Sequence, residues 1–176
     1  MDAPQYPAGP YEADTAFSDT RRDEHITEIA AAPARLRLAV AGLSAAQLET
    51  KYRNWTIRQI THHLADSHLN AYVRFKLALT EDRPTIKPYQ EGRWADLADA
   101  RTAEMEATLP LVAGLHARWV TLLRAMTPEQ YARTYFHPEA NTTVPLFEAL
   151  GHYAWHGRHH TTQIRWVRRE RLGLPE

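Results

Sequence analysis

Histidines in two separate stretches of the chain have the spacing of a metal site. His156 and His160 lie four residues apart in one stretch, and His62, His63 and His68 lie together in an earlier one. Side chains four residues apart on an α-helix are neighbours on one face, so His156 and His160 can point at one ion. A third imidazole from another helix would complete three nitrogen ligands and leave a coordination position open, which is typical of catalytic zinc.

The third ligand is expected from the earlier stretch, and its periodicity favours His63. On a helix, His63 shares the apolar face with Ile60 and Leu64, whereas His62 points about 100° away. His68 borders the same apolar face. Spacing alone therefore favours His63 and leaves His62 and His68 open as ligands.

A rival triplet lies on one helix, where His152, His156 and His160 repeat every four residues. A straight helix spreads these three over roughly 11 to 12 Å, which is too far for a single ion, since zinc–nitrogen bonds are about 2.1 Å long. Three further histidines are interpreted as surface or singly hydrogen-bonded groups: His25, His116 and His137.

Neutral imidazole ligands leave nearly the full charge of a divalent ion to act on a fourth ligand. A water in that position could have a pKa near ~7, which gives hydroxide at neutral pH, and a thiol could be ionised for the same reason. Carboxylates or carbonyls are expected to fix the tautomers of the ligand imidazoles. Asp66 and Glu148 are candidates for that role.

The composition excludes several other classes of protein. The 176 residues carry 21 basic and 21 acidic side chains, and this balance does not indicate a nucleic-acid surface. The absence of cysteine excludes disulfides and thiolate metal ligands. The first residues do not resemble a signal peptide, and no apolar run approaches the ~18 to 20 residues of a membrane span. We therefore expect a soluble cytoplasmic protein.

Four amphipathic stretches predict long helices that would position these histidines. They run from about Asp19 to Ala41, from Thr56 to Thr80, from Thr108 to Met126, and from a cap at Thr142 or Thr143 to near Arg171. Short helical turns are expected after Ser44 and Thr127 and over residues 94–100. No stretch is a good strand candidate. The predicted fold class is all-α, a four-helix bundle, with an extended arm over residues 1–18 and a single metal-binding domain over residues 19–176.

At these residues the chain resembles the DinB-like superfamily and, more closely, its YfiT subfamily. The resemblance spans nearly the whole chain from the first helix onward. The stretches that carry it are NWTIRQITHHLADSHLNAYVRFKLALTE, RPTIKPYQEGRW, LHARWVTLLRAM, FHPE and ALGHYAWHGRHHTTQI. Members of that subfamily are described as metal-dependent hydrolases and are tied to bacillithiol S-transferases.

The resemblance implies a four-helix bundle with one divalent metal per subunit, zinc or nickel. It implies that the ligands are His63, His156 and His160, and that the protein is a cytoplasmic homodimer. Subfamily members have a small residue and then histidines after the ligand that follows Trp, whereas this chain has Gly157-Arg158-His159. The ligand positions are intact, and the difference concerns the lining of the pocket and hence the substrate.

The leading hypothesis is a metal-dependent enzyme of the YfiT type that acts on a small molecule, not on nucleic acid or membrane. Its metal would activate either a water, as in a hydrolase, or a low-molecular-weight thiol such as bacillithiol, as in an S-transferase. No side chain is singled out as catalytic, because the metal-bound water or thiolate would be the reactive group. Asn70, Arg74 and Arg158 are candidates for an anion-binding pocket mouth. The alternatives are a non-catalytic metal or small-ligand binding protein, and a structural bundle with unliganded histidines.

Overall fold

Four long helices form most of the described chain, which in this computed structural model comprises residues 2–14 and 16–175. The elements in chain order are α1 (Asp19–Val40), α2 (Ala45–Leu48), β1 (Lys51–Tyr52), β2 (Trp55–Thr56), α3 (Ile57–Thr80), α4 (Glu91–Ala95), α5 (Ala98–Thr102), α6 (Met105–Ala125), α7 (Pro128–Tyr131), β3 (Thr134–His137), β4 (Thr142–Pro145) and α8 (Leu146–Glu170). The predicted all-α four-helix bundle is confirmed, and α1, α3, α6 and α8 are its long helices. None of the described helices is long and apolar enough to cross a lipid bilayer.

The order of the helices around the bundle differs from their order along the chain. α1 packs against α6 and α8, and α3 packs against the same two helices. The consecutive long helices α1 and α3 are therefore diagonal to each other. This arrangement makes α3 and α8 neighbours, so the two histidine stretches face each other.

Two hydrophobic clusters fill the bundle, one on each side of a layer of histidines. On α3, the change from one cluster to the other falls between Leu64 and Ala71, and on α6 it falls between Val112 and Trp119. His116 lies in that interval on α6 and is 2% exposed. Apolar packing above and below thus fixes the level at which polar side chains meet inside the bundle.

Three helices begin at capping boxes, in which a hydroxyl and a glutamine side chain satisfy two backbone N–H groups reciprocally. Ser44 caps α2, Thr56 caps α3 and Thr127 caps α7, each with a glutamine three residues later. These starts agree with the sequence prediction. The box at Thr56 matters for the site, because it fixes the beginning of the helix that carries His63.

Two hairpins correct the prediction that no stretch is a good strand candidate. β1 pairs antiparallel with β2, and β3 pairs antiparallel with β4. Their turns contain Arg53 and Asn141 with φ of 52° and 49°, and strands of two to four residues are too short to show a period-two pattern. Because Thr142 and Thr143 belong to β4, the prediction that one of them caps the last helix is wrong, and Pro145 is the N-cap.

Two other boundaries differ from the prediction. α6 begins at Met105, before the expected Thr108. The segment expected as one short helix over residues 94–100 is two helices, α4 and α5, separated at residues 96–97. The predicted arm includes Met1 and Thr15, and the predicted domain ends at Glu176; these three residues lie outside the described chain.

The N-terminal arm lies along the bundle and is tied to it by hydrogen bonds. Trp155 Nε1 donates to the carbonyl of Gly9 at 3.0 Å, and the Tyr52 hydroxyl donates to the carbonyl of Pro4. The ring of Tyr6 contacts that of Trp155, with a centroid distance of 6.5 Å. The arm therefore covers part of α8, the helix that carries His156 and His160.

Asp14 holds the end of the arm against α1, and we expect its loss to destabilise the fold. Asp14 accepts hydrogen bonds from His25 Nε2 at 2.5 Å and from Arg21 Nε at 2.7 Å. Burial alone would raise the pKa of Asp14, but these two bonds outweigh it and hold the pKa below its ordinary value. Asp14→Asn should lower the free energy of unfolding by about 1 to 2 kcal/mol at pH 7.

This contribution should depend on pH in one direction. A carboxyl whose pKa is depressed in the folded state stabilises the fold above its unfolded pKa of about 3.9 and loses that effect as the pH falls through the folded value. Urea unfolding of wild type and Asp14→Asn should therefore differ at pH 7, and the difference should shrink as the pH falls below the ordinary carboxyl value toward the lowered pKa of Asp14. Glu12→Gln, at an exposed acid of the same arm, is the control. A constant difference across this range would contradict the ionic role of Asp14.

Candidate metal centre

Three histidines from α3 and α8 converge at one point in the histidine layer. One potential ligand nitrogen from each of His63, His156 and His160 lies within 4.8 Å of the other two. The Nε2 atoms of His63 and His156 are 3.3 Å apart. The ring centroids of His160 lie 4.9 Å from His63 and 4.5 Å from His156. The structure thus brings together the three side chains that the sequence favoured.

The other candidate ligands point elsewhere or lie behind this cluster. His62 Nε2 donates to the carbonyl of Ala103 at 3.2 Å, and its Nδ1 accepts from the Thr108 hydroxyl at 2.6 Å, so His62 joins α3 to α6. His68 contacts Nδ1 of His156, the nitrogen on the far side of that ring. His152 lies one turn before His156, outside the cluster.

A chain of three imidazoles fixes the tautomer of His156. The carbonyl of Ile29 can only accept, so His116 Nδ1, at 2.7 Å, carries a proton and donates it. In a neutral ring, His116 Nε2 must then accept from His68 Nδ1 at 2.8 Å. His68 Nε2 accepts in turn from His156 Nδ1 at 3.2 Å. The remaining nitrogen of His156, Nε2, is left with a lone pair that faces His63.

Gln163 fixes His160 in the same way. The Gln163 carbonyl oxygen accepts from His160 Nδ1 at 2.7 Å, which leaves a lone pair on His160 Nε2. The amide nitrogen of Gln163 donates to His159 Nε2 at 2.9 Å. Because an amide has one accepting and one donating end, the contact with His159 orients Gln163 correctly for His160.

Burial keeps these imidazoles uncharged. It lowers the pKa of His63 to about 4 and lowers the pKa values of His156 and His160 well below the ordinary value, with the neighbouring imidazoles adding to the shift of the latter two. A neutral histidine can bind a metal without first releasing a proton. Two lone pairs aimed at one point beside a third ring nitrogen repel each other unless a cation lies between them. The donor set therefore fits a divalent metal.

The residues predicted to fix the ligand tautomers are not the ones that do so. Asp66 lies on α3, and burial, followed by the charge of Asp99, raises its pKa to about 6. The carbonyl of Glu148 accepts from the Tyr11 hydroxyl of the arm at 3.2 Å. Instead, His68 accepts a hydrogen bond from His156 Nδ1, and Gln163 accepts one from His160 Nδ1.

His116 was interpreted from sequence as a surface or singly bonded group, and that interpretation is wrong. It is 2% exposed and hydrogen-bonded through both ring nitrogens. Its position between Val112 and Trp119, on the apolar stripe of α6, was a signal that could have identified it as buried. Gln163 gave no comparable signal, because glutamine three residues after histidine is common on any helix surface.

A cavity of about 370 Å³ opens onto the three histidines. The ring of Trp55, on β2, forms one wall, with a centroid 4.6 Å from that of His63. Glu91 and Glu139 are exposed at its mouth, and Arg74 lines it as well. The two hairpins therefore contribute the wall and part of the rim. Asn70 and Arg158, the other predicted anion-binding residues, do not line it.

A larger cleft of about 810 Å³ lies between the arm and α1. It is lined by charged side chains, including Arg21, Glu24 and Arg158, and none of the three converging histidines reaches it. The smaller cavity is therefore the one in which a reactant could meet an ion.

Comparison with known proteins agrees with this architecture. A model of the DinB superfamily matches residues 28–164. YfiT of Bacillus subtilis, provisionally named a metal-dependent hydrolase, is 44% identical over 170 residues, which cover 96% of this chain and 95% of YfiT. A relative from Geobacillus thermodenitrificans with the same provisional name is 44% identical over 173 residues, 97% of each protein.

A solved structure of Bacillus subtilis YfiT superposes on the chain with a TM-score of 0.92 at 43% identity, covering 96% of this chain and 97% of that one. It is described as a probable metal-dependent hydrolase with an unusual four-helix bundle topology.

Proposed function

The chain belongs to the DinB superfamily, and from that premise we propose that it is a metal-dependent enzyme of the hydrolase type whose ion is bound by His63, His156 and His160. One observation carries the proposal. Three ring nitrogens converge within 4.8 Å, and the outer nitrogens of His156 and His160 are held by partners that leave Nε2 free to bind. The names of the relatives at 44% identity support the same class of activity.

We infer zinc or nickel as the ion, one per subunit. Imidazole nitrogen suits both metals, and the cluster contains no carboxylate that would favour magnesium, calcium or manganese. A divalent ion held by neutral imidazoles supplies Lewis acidity, which increases the acidity of a water or thiol that reaches it. The homodimer and the cytoplasmic location implied by the resemblance stay predictions.

The side chains around the cavity orient a small substrate and limit the entry of water. Trp55 covers His63 on one side, and its indole is also stacked near His160, with a centroid distance of 6.3 Å. Burial raises the pKa of Tyr89 to about 12, so its hydroxyl stays protonated and can donate to a substrate oxygen. A cavity of about 370 Å³ admits a small molecule rather than a polymer.

The proposal includes both hydrolysis and thiol transfer. In each reaction the metal would ionise a small nucleophile, a water or a thiol, next to an electrophilic substrate in the cavity. The chain has no cysteine to serve as its own nucleophile. Water would make the protein a hydrolase, and a low-molecular-weight thiol such as bacillithiol would make it an S-transferase.

Protein purified without a polyhistidine tag is expected to contain about one zinc or nickel ion per chain. Dialysis against a chelator should remove the ion, and either metal should restore the original stoichiometry because three imidazoles accept both. Inductively coupled plasma mass spectrometry of the purified, stripped and reloaded protein measures this. Metal content far below one ion per chain after reloading would contradict the proposal.

A turnover screen on the loaded protein separates the chemical alternatives. Ester and amide substrates test hydrolysis, and bacillithiol with monochlorobimane tests thiol transfer. Activity that disappears on stripping and returns on reloading supports an enzyme. Stoichiometric metal with no turnover on any of these substrates would favour a metal-binding protein without catalytic activity.

A further inference from the structure

Arg74 is a buried cation without an anionic partner. It is 8% exposed and lines the cavity next to the three histidines. Its Nη1 donates to the Tyr153 hydroxyl at 3.1 Å, and its Nε has no hydrogen-bond partner. Within residues 2–14 and 16–175, no ion pair within 4.0 Å involves Arg74.

Arg58 on the same helix shows how this chain satisfies a buried guanidinium elsewhere. It is 5% exposed, and its Nε donates to Glu49 at 2.7 Å while its Nη1 donates to the carbonyl of Ala103 at 2.7 Å. Buried charges in proteins are normally paired in this manner, because an unpaired charge away from water is costly. Arg74 departs from that pattern beside a cavity in which a ligand could complete it.

The side chains that line the inner part of the cavity beside Arg74 carry no negative charge. Tyr89 and Tyr153 line the cavity with it, and phenol hydroxyls are neutral at physiological pH. Glu91 and Glu139 also line the cavity, but both are exposed at its mouth. The inner part of the cavity therefore has one uncompensated positive charge.

Arg74 lies close enough to the histidines for one small molecule to reach both. Side chains on a helix lean toward its N-terminus, so Arg74 on α3 leans toward the level of His63. Its partner Tyr153 comes three residues before His156 on α8, an axial offset of about 4.5 Å. The ring centroids of Tyr153 and His156 are 6.0 Å apart.

We propose that Arg74 binds a carboxylate of the substrate while another group of the same molecule occupies the histidine cluster. A guanidinium presents paired donors that match the two oxygens of a carboxylate. A single positive charge among neutral hydroxyls suits a monoanion better than a phosphate dianion. The inference rests on the proposed function and adds its substrate class, a small carboxylic acid derivative whose reactive group is several ångströms from the carboxylate.

Cobalt-substituted protein provides a test that does not need turnover, because a thiolate that binds cobalt produces a new absorption band. The probes are 3-mercaptopropionate and 4-mercaptobutyrate, each paired with its neutral amide. In the wild type, at least one acid should bind about tenfold or more tightly than its amide. Arg74→Gln should remove this preference and leave the affinity for the amide within about twofold, whereas Arg74→Lys should retain part of it.

Arg58→Gln is the control for the loss of a buried guanidinium, and it should keep the preference for the acid. Equal binding of acid and amide by the wild type, or an unchanged preference in Arg74→Gln, would overturn the proposal.

A metal-free measurement separates failure of this inference from failure of the proposed function. Glutarate should shift the nuclear magnetic resonance signal of the Arg74 Nε–H group in metal-free protein, and glutaramide should not. If cobalt does not bind, the metal proposal fails, and the glutarate result still decides the carboxylate site. Glutarate without effect on that signal would count against Arg74.

Discussion

His160→Ala is expected to abolish stoichiometric metal binding at neutral pH while leaving a folded helical bundle. His160 supplies one of three converging nitrogens, and its Nδ1 is held by Gln163 at 2.7 Å so that Nε2 faces the other two. Two remaining imidazoles would hold the ion far more weakly. The loss of affinity should exceed the roughly 10- to 100-fold typical of removing a residue that only supports a ligand.

The fold should survive because His160 contributes little to either hydrophobic cluster. It lies in the histidine layer, and alanine is a good helix former at an interior position of α8. Removing one of the two facing lone pairs also relieves repulsion in the metal-free protein. We expect the free energy of unfolding without metal to fall by about 1 to 3 kcal/mol, the common range for a single substitution.

Metal titration and thermal unfolding measure this outcome together. A ligand at 100 times its Kd stabilises the folded state by about 2.7 kcal/mol, so saturating zinc should raise the Tm of the wild type by about 5 to 10 °C for a chain of this size. The same zinc concentration should leave the Tm of His160→Ala nearly unchanged. Turnover detected with the loaded wild type should disappear as well.

His152→Ala is the matched control, since His152 lies on the same helix and lines the same cavity outside the cluster. It should bind metal with wild-type stoichiometry. If His160→Ala keeps full metal content and full activity, the three-histidine centre is wrong. If both variants lose the ion, the effect is a general disturbance of α8 and not the loss of a ligand.

The convergence of His63, His156 and His160 could be predicted because helical periodicity is local information. The period of 3.6 residues assigns each side chain to a face, and a bundle buries that face. The sequence could not choose among His62, His63 and His68 with certainty, since that choice depends on which helices are neighbours. The diagonal placement of α1 and α3 makes α3 adjacent to both α6, toward which His62 points, and α8, where His63 meets His156.

The hairpins could not be predicted in the same way. β3 and β4 are four residues long and are stabilised by pairing with each other and by contact with the bundle, neither of which appears as a pattern in the sequence. Their omission placed the cap of α8 on a threonine instead of Pro145. Without the hairpins, the sequence also did not predict that His137 and Glu139, on the β3–β4 hairpin, line the cavity.

The chain of imidazoles behind His156 depends on long-range contacts between three helices and a backbone carbonyl. His116 on α6 is fixed by the carbonyl of Ile29 on α1, and His68 on α3 connects it to α8. Each hydrogen bond determines the tautomer of the next ring. No single helix contains this information, and the sequence therefore predicted only carboxylates or carbonyls in this role.

His68→Phe should weaken metal binding by about 10- to 100-fold without removing the site. A phenyl ring has nearly the size of the imidazole but cannot accept from His156 Nδ1, which lies 3.2 Å from His68 Nε2. His156 is then free to place its proton on Nε2, where it blocks the ion. The affinity falls because binding must first move that proton back.

The same substitution should cost about 1 to 3 kcal/mol of stability, since it leaves His116 Nε2 buried without a partner. A loss of stability alone would therefore not establish the tautomeric role. His62→Phe is the matched control: His62 is also buried on α3 and also makes two hydrogen bonds, but these are directed toward Ala103 and Thr108. It should show a similar loss of stability and a metal affinity within about threefold of the wild type.

Nitrogen-15 chemical shifts of His156 distinguish the two mechanisms directly. In metal-free wild type the proton should be on Nδ1, and in His68→Phe a substantial fraction should carry it on Nε2. His116→Phe should have a smaller effect of the same kind, because His68 then loses the partner that fixes its own tautomer but can still accept from His156. A double variant of His68 and His116 should weaken metal binding no further than His68→Phe alone, since both act through the same proton. Additive losses of affinity would mean that the two histidines act independently, as packing residues, and that the ordered chain from Ile29 to the ion does not operate.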